Sequence, residues 1–127
     1  MNDQTFTNAE LAERELGDAG RHLAALMDRS DPHPQAERLT QAATVVMDAR
    51  GQLASVRELL AGCELPWEWD LSVEQRVQVA AVLDGISALL HQLPDRLGTV
   101  ALFGPGDAIA LDKLHRHLYA AAHLLLV

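Results

Sequence analysis

The chain has a single cysteine, Cys63, and only 4% aromatic residues. One cysteine excludes an intrachain disulfide and a cysteine-based metal cage. So few aromatics leave aliphatic side chains to fill any core. Lys113 is the only lysine, and the other cations are arginines. Positive charge is scarce overall: 10 basic residues face 18 acidic ones, for a formal net charge of −8. Simple nucleic-acid binding needs a basic face. Here the basic residues are scattered, with one loose cluster at Lys113, His115, Arg116 and His117. No direct contact with nucleic acid is expected. Long apolar runs are missing too; no stretch of about 18 apolar residues exists, so neither a spanning helix nor membrane contact is expected. Met1 to Asn8 hold no basic region and no apolar run, so no secretory signal is expected and a cytoplasmic location follows.

What the chain does have is one spacing used four times. Apolar residues recur at alternating steps of three and four. The first set is Ala9, Ala12, Leu16, Ala19, Leu23 and Leu26. The second is Leu39, Ala42, Val46, Ala49, Leu53, Val56 and Leu60. The third is Val79, Val82, Ile86, Leu89 and Leu93, and the fourth Leu111, Leu114, Leu118, Ala121 and Leu125. This rhythm lays one apolar stripe along one face of an α-helix. No polar residue interrupts a stripe. The predicted fold is all-α, an antiparallel four-helix bundle with helices at about 8–28, 33–61, 72–93 and 107–126. The 127 residues form one domain, with 1–7 as a flexible polar leader.

Punctuation residues support these bounds. Thr7 or Asn8 caps the first helix. The segment Ser30-Asp31-Pro32-His33-Pro34 stops the first helix and restarts the chain. Gly62 ends the second helix. Ser72 with Gln75 makes a capping box for the third, Pro94 ends it, and Asp107 caps the fourth. Gly20 and Gly85 flank their stripes and offer close approach between helices. Leu83 and Leu90 widen the apolar face of the third helix, as Leu124 and Leu126 do for the fourth. Such wide faces point to a homodimer built on helices three and four.

Chemistry-bearing residues are few. Six histidines raise the question of a metal. Metal-binding bundles use inward carboxylates with a Glu-x-x-His spacing; the nearest match, Asp112-x-x-His115, puts Asp112 in solvent. A site is possible only at a helix seam, from Glu15, His22 and His115 or His117. His91 and His123 point outward, and His33 sits between two prolines in a turn. Cys63 follows a helix end, where the dipole disfavours a thiolate. Serines 30, 55, 72 and 87 are accounted for as turn, surface or cap residues. Gly104-Pro105-Gly106 is followed by Asp107, and a carboxylate there repels phosphate. No catalytic set and no cofactor motif emerges, so an enzyme is disfavoured.

The segment Trp67-Glu68-Trp69-Asp70 holds both tryptophans. Tryptophan is enriched at interface hot spots, and one indole turned in with one turned out satisfies both core and contact. Phe103, in the apolar loop of residues 98–106, joins this candidate partner-binding set. The expected function is a regulatory or interaction module contacting a protein partner. The alternatives are a metal-dependent enzyme or metal-binding bundle, and an acidic partner that blocks a DNA-binding protein.

Overall fold

The computed structural model describes residues 3–28 and 30–126, and among these there is no β-strand. Four long helices carry the fold: α1 (Asp3–Met27), α2 (Ala36–Ala61), α4 (Val73–Leu97) and α6 (Ala108–Leu124). Two short helices, α3 (Trp67–Asp70) and α5 (Val100–Phe103), lie in the connections, and a 3-10 turn (Pro105–Asp107) leads into α6. No helix of the described residues is long and apolar enough to cross a membrane.

Each long helix packs mainly against two others, in the order α1, α2, α4, α6 and back to α1. Side-chain pairs give the directions. Glu13 of α1 meets Arg57 of α2 at 2.7 Å, and Gly17 lies beside the Arg50 guanidinium. Position rises on α1 as it falls on α2, so the two are antiparallel. Ser87 opposite Ala122 and His91 opposite Tyr119 order α4 against α6 in the same way.

Three of the four stripes form the core as expected. All six stripe residues of α1, all seven of α2 and all five from Leu111 to Leu125 are buried. The third stripe is rotated. Val79, Leu83, Ile86, Leu90, Leu93 and Leu97 are buried, while Leu89 is exposed and Val82 only partly covered. Both frames satisfy the helical rhythm; contact with α2 and α6 selects the edge carrying Leu83 and Leu90. Those two leucines thus belong to the core, whereas on the α6 side Leu124 is half-buried and Leu126 is exposed. Gly20 and Gly85 face open space and have no role in close approach. Small residues in the core are alanines instead: Ala9, Ala12, Ala19, Ala42 and Ala49 are all buried.

Helix ends differ from the expected bounds where burial outweighs local preference. α1 begins at Asp3, because Phe6 packs on the core; Thr7 and Asn8 lie inside the helix. Residues 1 and 2 of the expected leader lie outside the described residues. α4 continues through Pro94 to Leu97. A proline inside a helix forfeits a backbone bond and costs about 3 kcal/mol. Here Pro94 and Leu97 are both buried, and the Gly98 N–H closes the turn on the Pro94 carbonyl at 3.1 Å. The Ser72/Gln75 capping box is present with both bonds. Gly98 adopts φ +98°, which L side chains avoid, and the chain turns there into α5.

The core is not wholly apolar. His33, Ser87 and Asp107 are buried. The Ser87 hydroxyl donates to the Ala122 carbonyl at 2.8 Å, joining α4 to α6. It is a core residue, not the surface or cap position expected. The His33 Nδ1 accepts the Gln35 backbone N–H at 2.9 Å, so its ring proton sits on Nε2. Nε2 then donates to Asp107 Oδ2 at 2.9 Å. The ring also packs against Phe103, 5.5 Å between centroids. The turn before α2 is thereby tied to the turn before α6. Asp107 holds the position of a cap but makes no side-chain capping bond; its carboxylate serves His33.

Candidate functional site

Two places gather the residues singled out from the sequence. The first is the α2–α4 connection. Pro66 turns the chain into α3, whose backbone closes on Pro66 and Trp67 carbonyls. Two residues apart on α3, the indoles lie about 200° apart around the helix. Trp67 is half-buried and packs on the core, whereas Trp69 is 76% exposed. Leu65, Val73 and Val77 are each more than half exposed beside it in sequence. Glu68 and Asp70 are exposed. Asp70 also accepts the Glu64 N–H at 3.2 Å, which holds the turn. Residues 63–77 carry four acids, Glu64, Glu68, Asp70 and Glu74, and one base, Arg76. This stretch therefore exposes large apolar side chains together with a net negative charge. Leu65, Val73 and Val77 were not singled out from the sequence. Val73 and Val77 stand one turn apart just before the first stripe residue of α4, a spacing that marks a second apolar face.

Phe103 does not belong to this corner. It is buried against His33, whereas its neighbour Leu102 on α5 is exposed. The side chain of Val100 lies outside the described residues. Cys63 is half-buried, with its sulfur on the Leu59 carbonyl. Burial pushes its thiol pKa up, and the neighbouring Asp70 carboxylate adds to the shift. The thiol is held protonated and is a poor nucleophile.

The second place is the seam between α1 and α6. Glu15, Asp18 and His22 follow at steps of three and four along one edge of α1. His117 faces them from α6. Its Nδ1 lies 2.6 Å from Glu15 Oε2, and its ring stacks on His22 with 5.2 Å between centroids and 19° between planes. Glu15, Asp18 and His117 each offer a ligand atom, all within 4.8 Å of one another. Asp18 also pairs with Arg21 on the next turn. Burial lowers the His22 pKa, helped by the nearby His117, Lys113 and Arg21. The seam thus joins three of the four expected residues, Glu15, His22 and His117.

His115 is not among them. Two residues on a helix are about 200° apart, so His115 points away from α1, towards the end of α4. Burial lowers its pKa, against the opposing pull of Asp112, Asp95 and the Gly98 backbone, and its Nε2 is buried without a hydrogen bond. Asp112 pairs with Arg116 in solvent, so the Asp-x-x-His spacing assembles nothing. The residue that sequence reasoning missed is Asp18. Its spacing, three residues after Glu15 and four before His22 on the same edge of α1, is the signal that marks it.

Two grooves lie on the described surface. One runs between α1 and α2 and is lined by Glu10, Glu13, Arg14, Asp18, Arg21, Arg50 and Arg57. Its charges largely pair among themselves, as Arg14 with Glu10 and Arg57 with Glu13. The other lies between α4 and α6, about 600 Å³, and is mostly apolar. His91 stands edge-on to Tyr119 there, at 5.6 Å. No protein-family model, no curated protein and no solved structure matches this chain.

Proposed function

We propose that the protein is a non-enzymatic interaction module that binds a partner protein through Leu65, Trp69, Val73 and Val77. The observation that carries this reading is Trp69, left 76% exposed while Trp67 packs on the core. Burying an exposed indole of about 200 Å² at about 25 cal/mol/Å² gains about 4–5 kcal/mol before the costs of association. That is the size of an interface hot spot. The surrounding Glu64, Glu68, Asp70 and Glu74 specify the other side. The partner presents an apolar pocket with a basic rim, a description that includes the phosphate-binding face of a DNA-binding protein. The reading places the module in the cytoplasm, where its lone free thiol stays reduced.

Capture from extract with the wild-type chain and with Trp69→Ala tests this. A specific partner lost with Trp69→Ala, weakened by Glu68→Lys and weakened by salt supports the reading. Identical partners for the wild type and Trp69→Ala refute it. A homodimer is the second reading, and it uses a different surface. Two copies of the acidic corner repel each other. The α4–α6 groove, with exposed Tyr119 and Leu126, is apolar and free of that repulsion. Sedimentation of the wild type and Leu126→Glu decides it: a dimer that the substitution dissociates supports it, and a monomer at high concentration excludes it.

A further inference from the structure

We propose that the α1–α6 seam binds one divalent transition-metal ion through Glu15, Asp18 and His117, with His22 stacked on the His117 ring. The site is independent of the Trp69 corner. Its donors are one imidazole nitrogen and two carboxylate oxygens, a set that suits zinc and its neighbours better than magnesium or calcium.

The geometry is close to that of a coordination shell. With metal–ligand bonds of about 2.0–2.2 Å, two ligand atoms on one ion lie from about 3 Å (adjacent) to about 4.4 Å (opposite) apart. The three ligand atoms here lie within 4.8 Å of one another. Rotation of the partly exposed Asp18 carboxylate closes the excess. The 2.6 Å separation of His117 Nδ1 and Glu15 Oε2 widens by a few tenths of an ångström to admit the ion. The helices beneath are fixed: Ala12, Leu16 and Ala19 of α1 and Leu114, Leu118 and Ala121 of α6 are fully buried around the seam. A rigid scaffold holds donors in place at little entropic cost.

His22 adds an observation of its own. Two imidazoles stacked face to face beside two carboxylates exceed what a single hydrogen bond requires. The stack fixes the plane of His117, the role that neighbouring groups take around ligating histidines. The ion displaces the pairing of Asp18 with Arg21, and the arginine is exposed and free to swing into solvent.

Titration calorimetry of the metal-free protein with Zn²⁺, and the visible spectrum with Co²⁺, test the proposal. One equivalent is expected to bind. His117→Ala and the near-isosteric Glu15→Gln each weaken binding by at least about tenfold, with far-UV circular dichroism unchanged. His91→Ala, on α4, leaves it unaltered. An NMR shift of the His117 ring nitrogens on adding Zn²⁺ reports the same event in the wild type. No saturable binding, or binding indifferent to both Glu15→Gln and His117→Ala, overturns the proposal and leaves a hydrogen-bonded seam only.

Discussion

Removing the acceptor of the buried His33 is expected to destabilise the whole chain. The His33 side chain is 1% exposed and that of Asp107 11%, and the pair spans 74 positions in sequence. Nε2–H donates to a carboxylate in a place water scarcely reaches. Hydrogen bonds to charged groups contribute about 1.5–3 kcal/mol, and a buried donor left unsatisfied costs about as much. Asp107→Ala should therefore destabilise by about 2–3 kcal/mol, and Asp107→Asn, which keeps an oxygen, by about 1 kcal/mol. Loss of a helix cap does not contaminate the result, because Asp107 makes no capping bond to α6. His33→Phe keeps the contact with Phe103 and removes both ring nitrogens. Urea unfolding of the two single variants (Asp107→Ala, His33→Phe) and the double gives the coupling, and the cycle separates the pair from other contacts of Asp107. The expected coupling is about 1.5–3 kcal/mol, with melting points falling by about 3–5 °C per kcal/mol. A coupling below about 0.5 kcal/mol would mean the two groups are as well served by water, and the argument for a polar lock would fail.

Three further outcomes are expected. Trp69→Ala leaves stability within about 0.5 kcal/mol of the wild type, whereas Trp67→Ala costs about 2 kcal/mol, read by denaturant unfolding; equal costs would contradict the one-in, one-out arrangement. At Gly98 a new Cβ would lie 2.8 Å from Leu102 Cδ2 on a backbone at φ +98°. Gly98→Ala therefore destabilises by about 1–2 kcal/mol, and adding Leu102→Ala relieves the clash but not the backbone strain. The raised pKa of Cys63 leaves less thiolate at mildly alkaline pH than in the unfolded chain. Alkylation is accordingly slow in the native protein and faster in Asp70→Asn, where burial alone maintains the shift; an unchanged rate would remove Asp70 from the account.

The α1–α6 seam shows how far a helical wheel reaches. The sequence places Glu15 and His22 on one edge of α1, and His115 and His117 on opposite edges of α6. It gives no order of helices around the core, so either histidine qualifies. Packing of α6 against α1 chooses His117 and sends His115 to the end of α4. Trp67 and Trp69 behave alike in this respect: their alternation was visible, but which indole turns inward depends on the path of α3.

Periodicity alone determined that the chain is helical, where its long helices run, and the inward face of three of them. Helical rhythm is a local property, written in residues three and four apart. Tertiary structure decided the rest. It chose the edge of α4 that enters the core, since Leu83 and Leu90 fit the rhythm as well as Val82 and Leu89 do. It carried α4 past Pro94, because the last turn buries Leu97. It also put His33 against Asp107, two polar residues that no spacing connects. A buried hydrogen bond between distant segments has no period, so it exists only once the helices have been laid side by side.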